Sequence, residues 1–165
     1  GLLYGRFSRP RARILFSNTA LITRRANGTP SLQFRVASRS HSILVDLRAR
    51  VLLQFTDAEG NRVYHSLPLE RDSVYFFPLN WTIVHDITPD SPLHHLSAAD
   101  LHARQAEILI LLKGYDDTFA QDVHARNSYR YDEIQWNRRF VRAYTVEDDG
   151  IVALDLDMLH ETEEW

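Results

Sequence analysis

The sequence predicts an all-β sandwich, and three observations carry that prediction. In residues 43–55, Ile43, Val45, Leu47, Ala49, Val51, Leu53 and Phe55 are apolar at every second position, with Asp46, Arg48, Arg50 and Gln54 among the residues between them. That is the period of a strand with one buried face. Further short runs of β-branched and aromatic residues recur at close spacing, separated by clusters of Gly, Pro, Asn and Asp that stop a strand. Only one segment carries a strong helix-start signature. Many short strands in a chain of 165 residues point to an immunoglobulin-like β-sandwich with one or two short helices.

Taken in order, strands are expected at 14–24, 31–37, 43–55, 62–69, 74–79, 82–87, 107–113, 118–124, 139–145 and 151–156. The strand at 43–55, rising about 3.3 Å per residue, reaches roughly 40 Å, long for a globular protein. Ala26-Asn27-Gly28-Thr29-Pro30, Asp57-Ala58-Glu59-Gly60-Asn61 and Asp148-Asp149-Gly150 are the turns between strands. After Ile87, the run Pro89, Asp90, Ser91 and Pro92 ends the extended backbone. Proline fixes φ and lacks an N–H, while Asp and Ser side chains bond nearby backbone. A helix is expected over 97–104, where Ser97 caps and Asp100, three residues on, completes a capping box. A second short turn is expected near 157–160.

Composition narrows the function. A chain that is 44% hydrophobic and 25% charged, with no cysteine, is an ordinary globular domain without a disulfide scaffold or thiolate site. Asn27-Gly28-Thr29 and Asn80-Trp81-Thr82 match the glycosylation triplet and are read as structural, since no secretory signal precedes them. No run approaches the roughly 20 apolar residues that cross a bilayer. There is no G-x-S-x-G elbow, phosphate-binding glycine loop or dinucleotide fingerprint, and six scattered glycines build no phosphate cradle, so an enzyme is not expected. His94, His95 and His102 lie close in sequence, but no pair repeats at ligand spacing and a zinc site is not expected.

Charge is distributed unevenly. Arg6, Arg9, Arg11, Arg13, Arg24, Arg25, Arg35 and Arg39 precede the first acid, Asp46. The last twenty residues hold Glu147, Asp148, Asp149, Asp155, Asp157, Glu161, Glu163 and Glu164 and no Lys or Arg. Such asymmetry suggests a first part facing something anionic and a last part facing water, the plainer reading being two solvated faces of opposite sign. The negative net charge and the lack of interleaved aromatics argue against a nucleic-acid arm. Asp46, set among arginines on the polar face of the longest strand, reads in isolation as a salt-bridge partner of Arg48 or Arg50.

Three blocks of sequence carry a resemblance. The stretch WTIVHDITPDSPL at 81–93, the upstream FSRPRARILFSNTALI at 7–22 and the downstream AEILILLKGYDDTFAQDVHARNSYRYDEIQW at 106–136 closely resemble, in the same order, the cytoplasmic domain of inward-rectifier potassium channels, most of all the prokaryotic ones. The family's TVGYG filter is missing here. The resemblance therefore implies the part below the membrane: residues 1–13 as a membrane-proximal connector, the remnant of the inner pore helix plus a basic linker, and residues 14–165 as the cytoplasmic sandwich. It implies a homotetramer around a fourfold axis, joined to the pore domain of the same channel at the cytoplasmic face of the inner membrane, with the fragment alone soluble. It implies K⁺ as the transported ion, no cofactor, and Mg²⁺ or polyamines as pore blockers. The function implied is extension of the ion pathway and coupling of lipid or ligand signals to gating; an immunoglobulin-like protein-binding module without a channel role is the alternative.

The resemblance also assigns residues. Asp46 matches an acid that lines the cytoplasmic pore, which fourfold symmetry would turn into a cation-concentrating ring. Lys113, Gly114, Tyr115, Asp116, Asp117, Thr118 and Phe119 fall on the pore-constricting loop, where Gly114 is expected to permit a tight turn and a structural hairpin is the competing reading. Strongly rectifying relatives carry Glu where this chain has Lys113, so a second acidic ring is replaced by positive charge. Asp117 and Arg126 match an ion pair that steadies this loop, within or between subunits. Arg6, Arg9, Arg11 and Arg13 match a segment that binds anionic, phosphoinositide-like lipids, each such residue near the membrane contributing about 1 kcal/mol.

Overall fold

The computed structural model describes residues 14–165. They form two five-stranded sheets, two small two-stranded pairs and a single short α-helix. The strands are β1 (Ile14–Phe16), β2 (Ala20–Arg24), β3 (Pro30–Ser38), β4 (Leu44–Thr56), β5 (Arg62–Ser66), β6 (Ser73–Phe76) and β7 (Asn80–Asp86). After helix α1 (Ala98–Ala103) come β8 (Glu107–Asp116), β9 (Gln121–Arg130), β10 (Ile134–Trp136), β11 (Arg138–Phe140), β12 (Tyr144–Val146), β13 (Val152–Leu154) and β14 (Thr162–Glu164).

In the first sheet β3 is central, paired along its whole length with β7 and on its other edge with β1 and then β2, beyond which β10 runs parallel to β2. In the second, β4 pairs β5 and β6 on one edge and β8 on the other, and β9 follows β8. Leu32, Phe34, Val36 and Ile83 of the first sheet share one core with Leu47, Ala49, Val51, Leu53, Ile108, Ile110 and Leu112 of the second. Phe34 and Tyr129 meet across it at 5.8 Å between ring centroids.

Three expectations are corrected. The strand expected over 14–24 is two strands, because Ser17 turns its hydroxyl to accept from Arg35 N (3.0 Å) and donate to Thr19 O (2.9 Å). The stretch expected at 139–145 splits into β11 and β12, which pair with β14 and β13. The alternation of 43–55 breaks at its start: Ile43 is 56% exposed while Leu44 is 2% exposed. A bulge between Val45 and Arg48 accounts for this, since one extra residue reverses which side chains face the core.

The helix follows the expectation closely. Asp100 N donates to Ser97 Oγ (3.1 Å) and Ser97 N donates to Asp100 Oδ2 (2.8 Å), which holds the Asp100 carboxyl below the usual carboxylate range. The 3-10 turn at Leu156–His160 matches the second expected turn.

Arginines of the first part do not share one anion-facing role. Arg35 is buried, and its guanidinium donates to Leu159 O (3.1 and 2.8 Å), Met158 O (2.7 Å) and Val141 O, over the Phe140 ring at 4.4 Å. Burial lowers its pKa to about 10. Arg35 thus fastens the C-terminal segment to β3 through backbone carbonyls, groups whose dipoles suit a cation. Arg25 pairs with Glu70 and, at 3.0 Å, with Asp86. Arg6, Arg9, Arg11 and Arg13 lie outside the described residues.

Candidate functional site

β4, β8 and β9 lie side by side in the second sheet, and strand alternation sends every second residue to the face away from the core. Their register sets Arg48 opposite Lys113 and Lys113 opposite His124; the next row is Arg50, Leu111 and Arg126. Ala49, Val51, Ile110 and Leu112, the intervening residues, are core. The outward face is thus built by register alone from residues on three strands that stand 11 to 78 positions apart in sequence.

Asp46 sits in the bulge with φ of 50°, a left-handed conformation that Asp tolerates better than most residues. Arg48 Nε donates to its Oδ1 at 3.2 Å and Arg48 Nη2 to its Oδ2 at 3.4 Å. The side chains are 53% and 69% exposed, so the pair contributes under about 1 kcal/mol to stability. Its electrostatic effect is larger: the one acid expected to line a pathway has a guanidinium against it.

The segment Lys113 to Phe119 divides in two. Lys113, Gly114, Tyr115 and Asp116 belong to β8, and the turn comprises residues 117–120, with Ala120 at φ 52°. Gly114 is therefore not the turn residue. It faces the bulge, where an added Cβ would stand 2.4 Å from Leu47 Cδ1 and 3.3 Å from Leu47 Cα. The glycine is required by a close approach between strands, not by a positive φ.

Asp116, completely buried, closes the turn: its Oδ1 accepts from Thr118 N (2.9 Å) and Phe119 N (3.0 Å). Ile43 N donates to Thr118 Oγ1 (3.0 Å), and Asp117 N donates to Ile43 O (2.8 Å). The turn is thus tied to the chain entering β4. Sequence reasoning missed Asp116 as the steadying acid, although Asp two residues before Thr is the spacing of an Asx-turn. The Asp117–Arg126 pair is not made within the chain. Arg126 is opposite Leu111, five residue steps or roughly 17 Å before the last ladder pair, Asp116 and Gln121. At the turn itself, Tyr115 is 36% and Phe119 63% exposed.

Among the described residues, no cluster of His, Asp and Glu could hold a metal ion. None of the described helices is long and apolar enough to cross a membrane.

Residues 14–165 match the family described as inward rectifier potassium channel C-terminal domain. The chain is 37% identical over 164 residues to the inward rectifier potassium channel Kirbac3.1 of Paramagnetospirillum magnetotacticum, covering 97% of this chain and 55% of that protein. It is 34% identical over 152 residues to the human ATP-sensitive inward rectifier potassium channel 8, covering 86% of this chain and 35% of the relative. It is 30% identical over 179 residues to the G protein-activated inward rectifier potassium channel 2 of Rattus norvegicus, covering 99% and 41%. The chain thus spans about half or less of the length of these relatives. A match that runs from β1 to the last residue, over a two-sheet all-β fold, settles the kinship: this chain belongs to the inward rectifier potassium channel C-terminal domain family.

Proposed function

We propose that this chain is the cytoplasmic regulatory domain of an inward-rectifier potassium channel, assembled as a homotetramer whose β4–β8 face lines an extension of the K⁺ pathway. The observation that carries the reading is the outward placement of Asp46 and Lys113 on neighbouring strands, close to a turn that exposes Tyr115 and Phe119. Fourfold repetition makes each of these a ring. Residues 113–119 then form the constriction, with Asp116 holding the turn's shape and Asp117 free to meet Arg126 of a neighbouring subunit.

Charge at this face argues for weak rectification. Each Asp46 is offset by its own Arg48, and Lys113 adds a positive charge where an acid would strengthen cation binding. Mg²⁺ or a polyamine would meet a compensated ring instead of an acidic well.

The connector is the second regulatory element of this reading. Arg6, Arg9, Arg11 and Arg13 would lie within a Debye length of the inner leaflet, about 8 Å at physiological salt. The experiment is K⁺ flux in liposomes reconstituted with the intact protein. Replacing Arg9, Arg11 and Arg13 with Gln should abolish the response to phosphoinositide. A response unchanged from wild type would remove the connector from the mechanism.

A further inference from the structure

The outward face of β4, β8 and β9 carries more positive charge than an ion pathway for K⁺ requires. Arg50 and Arg126 flank Leu111 in one row, and Arg48, Lys113 and His124 form the next. Strand spacing puts the Cα atoms of Arg50 and Arg126 about 10 Å apart and the rows about 7 Å apart. Among the described residues, no carboxylate pairs with Arg50, Lys113 or Arg126, and only Arg48 is engaged, by Asp46. The acids on this face stand at its ends: Asp46 and Asp122 toward the turn, Glu107 toward the far end.

Shape adds to charge. A cleft of about 580 Å³ is bounded by Arg48, Arg50, Leu111, Lys113, His124 and Arg126. A second, of about 670 Å³, continues past Leu52 and Leu109 to Ser128. Both fall in the range of small-molecule sites. Leu111, 47% exposed between the two arginines, supplies an apolar surface beside the cations, and charge-assisted bonds strengthen where water is partly excluded.

We infer that this face is an anion-binding site for a soluble ligand carrying two or more phosphate groups, with Arg50, Arg126 and Lys113 as its principal contacts. Guanidinium forks on neighbouring strands match phosphate oxygens in pairs, whereas a single carboxylate would leave most of the cations unanswered. The inference rests on the reading that the face opens onto a vestibule. A bound polyphosphate would place negative charge on the pathway wall, so occupancy would favour K⁺ and blocking cations near it.

The test uses the intact protein, whose domain offers no native cysteine. A Leu111→Cys variant is exposed to a charged thiol reagent with and without tripolyphosphate, ATP or inositol hexakisphosphate. Titration calorimetry measures the same three probes on wild type, Arg50→Gln and Arg126→Gln, with thermal melts confirming folding. The expected result is rapid labelling that the phosphates suppress, and an affinity that drops about tenfold in either Gln variant, the equivalent of one charge-assisted contact. The ranking of the three probes identifies inorganic, nucleotide or headgroup phosphate as the source. Rapid labelling with no protection, or affinity unchanged in both Gln variants, overturns the anion site and leaves the vestibule reading intact. Absence of labelling in the assembled protein overturns the vestibule reading, and the anion site falls with it.

Discussion

Leu47 packs so closely over Gly114 that a single methyl on the glycine would stand 2.4 Å from Leu47 Cδ1. The contact exists because the bulge at Asp46 turns Leu47 into the core, where it is completely buried. One local irregularity therefore determines two features of the candidate site: Asp46 points outward beside Lys113's row, and the strand opposite must carry glycine.

Gly114→Ala is expected to cost about 1–3 kcal/mol, as overpacking of a dense core does. Urea unfolding of the purified domain measures it. Leu47→Ala should itself cost roughly 2–5 kcal/mol, and the double variant should be less damaged than the sum of the two, since the clash is relieved. Strict additivity would mean that the approach is not what demands glycine.

If the β4–β8 face lines the K⁺ pathway as proposed, block by internal Mg²⁺ or spermine in the intact channel should follow the charge there. Asp46→Asn should weaken block, and Lys113→Glu should strengthen it. Arg48→Gln should also strengthen it, because it releases the Asp46 carboxylate from its own partner. If Arg48→Gln and Lys113→Glu both leave block unchanged, these side chains do not face the pathway.

His85 gives the fold a defined response to acid. Its Nδ1–H donates to Pro68 O (2.6 Å), and Nε2 accepts from Ser91 Oγ (2.7 Å), whose oxygen in turn accepts from Leu93 N (3.1 Å). The ring is only 3% exposed, and burial lowers its pKa despite the opposing pull of Pro68 O and Asp86. The folded chain thus favours neutral His85. Its contribution to stability is complete above the unfolded value of about 6.5 and is lost as pH falls from there toward the depressed folded value. Urea midpoints should decline over that interval more steeply in wild type than in His85→Gln. Equal slopes would remove His85 from the acid response.

Arg35→Leu should release the C-terminal segment, because four donated contacts to Val141, Met158 and Leu159 carbonyls disappear. A loss on the order of 3 kcal/mol is expected, given roughly 1.5–3 kcal/mol for one hydrogen bond to a charged group. Hydrogen exchange should rise first in residues 156–161. Uniform acceleration across both sheets would indicate general destabilisation instead of a local clamp.

Features that depend on neighbouring residues were legible in the sequence. The Ser97–Asp100 capping box is such a case, since both partners lie within one turn. The long strand was legible too, but its bulge was not, because every odd residue from 43 to 55 is apolar and only tertiary pairing with Gly114 reveals the phase change. β10 and β14 are not legible for the same reason: three residues make a strand only when a partner, here β2 or β11, is at hand. Of the candidate site, Asp46 and Lys113 were identifiable by resemblance. The Arg50, Leu111 and Arg126 row was not, since it exists only through the register of three strands.

The central claim is that this face looks onto a fourfold axis, and a distance measurement tests it most directly. Spin labels on a Lys113→Cys variant of the intact protein, read by pulsed dipolar spectroscopy, should give two distances, adjacent and diagonal. Closed fourfold symmetry fixes their ratio at about 1.4. A single distance, as from a dimer, or labels too remote to couple would contradict the account.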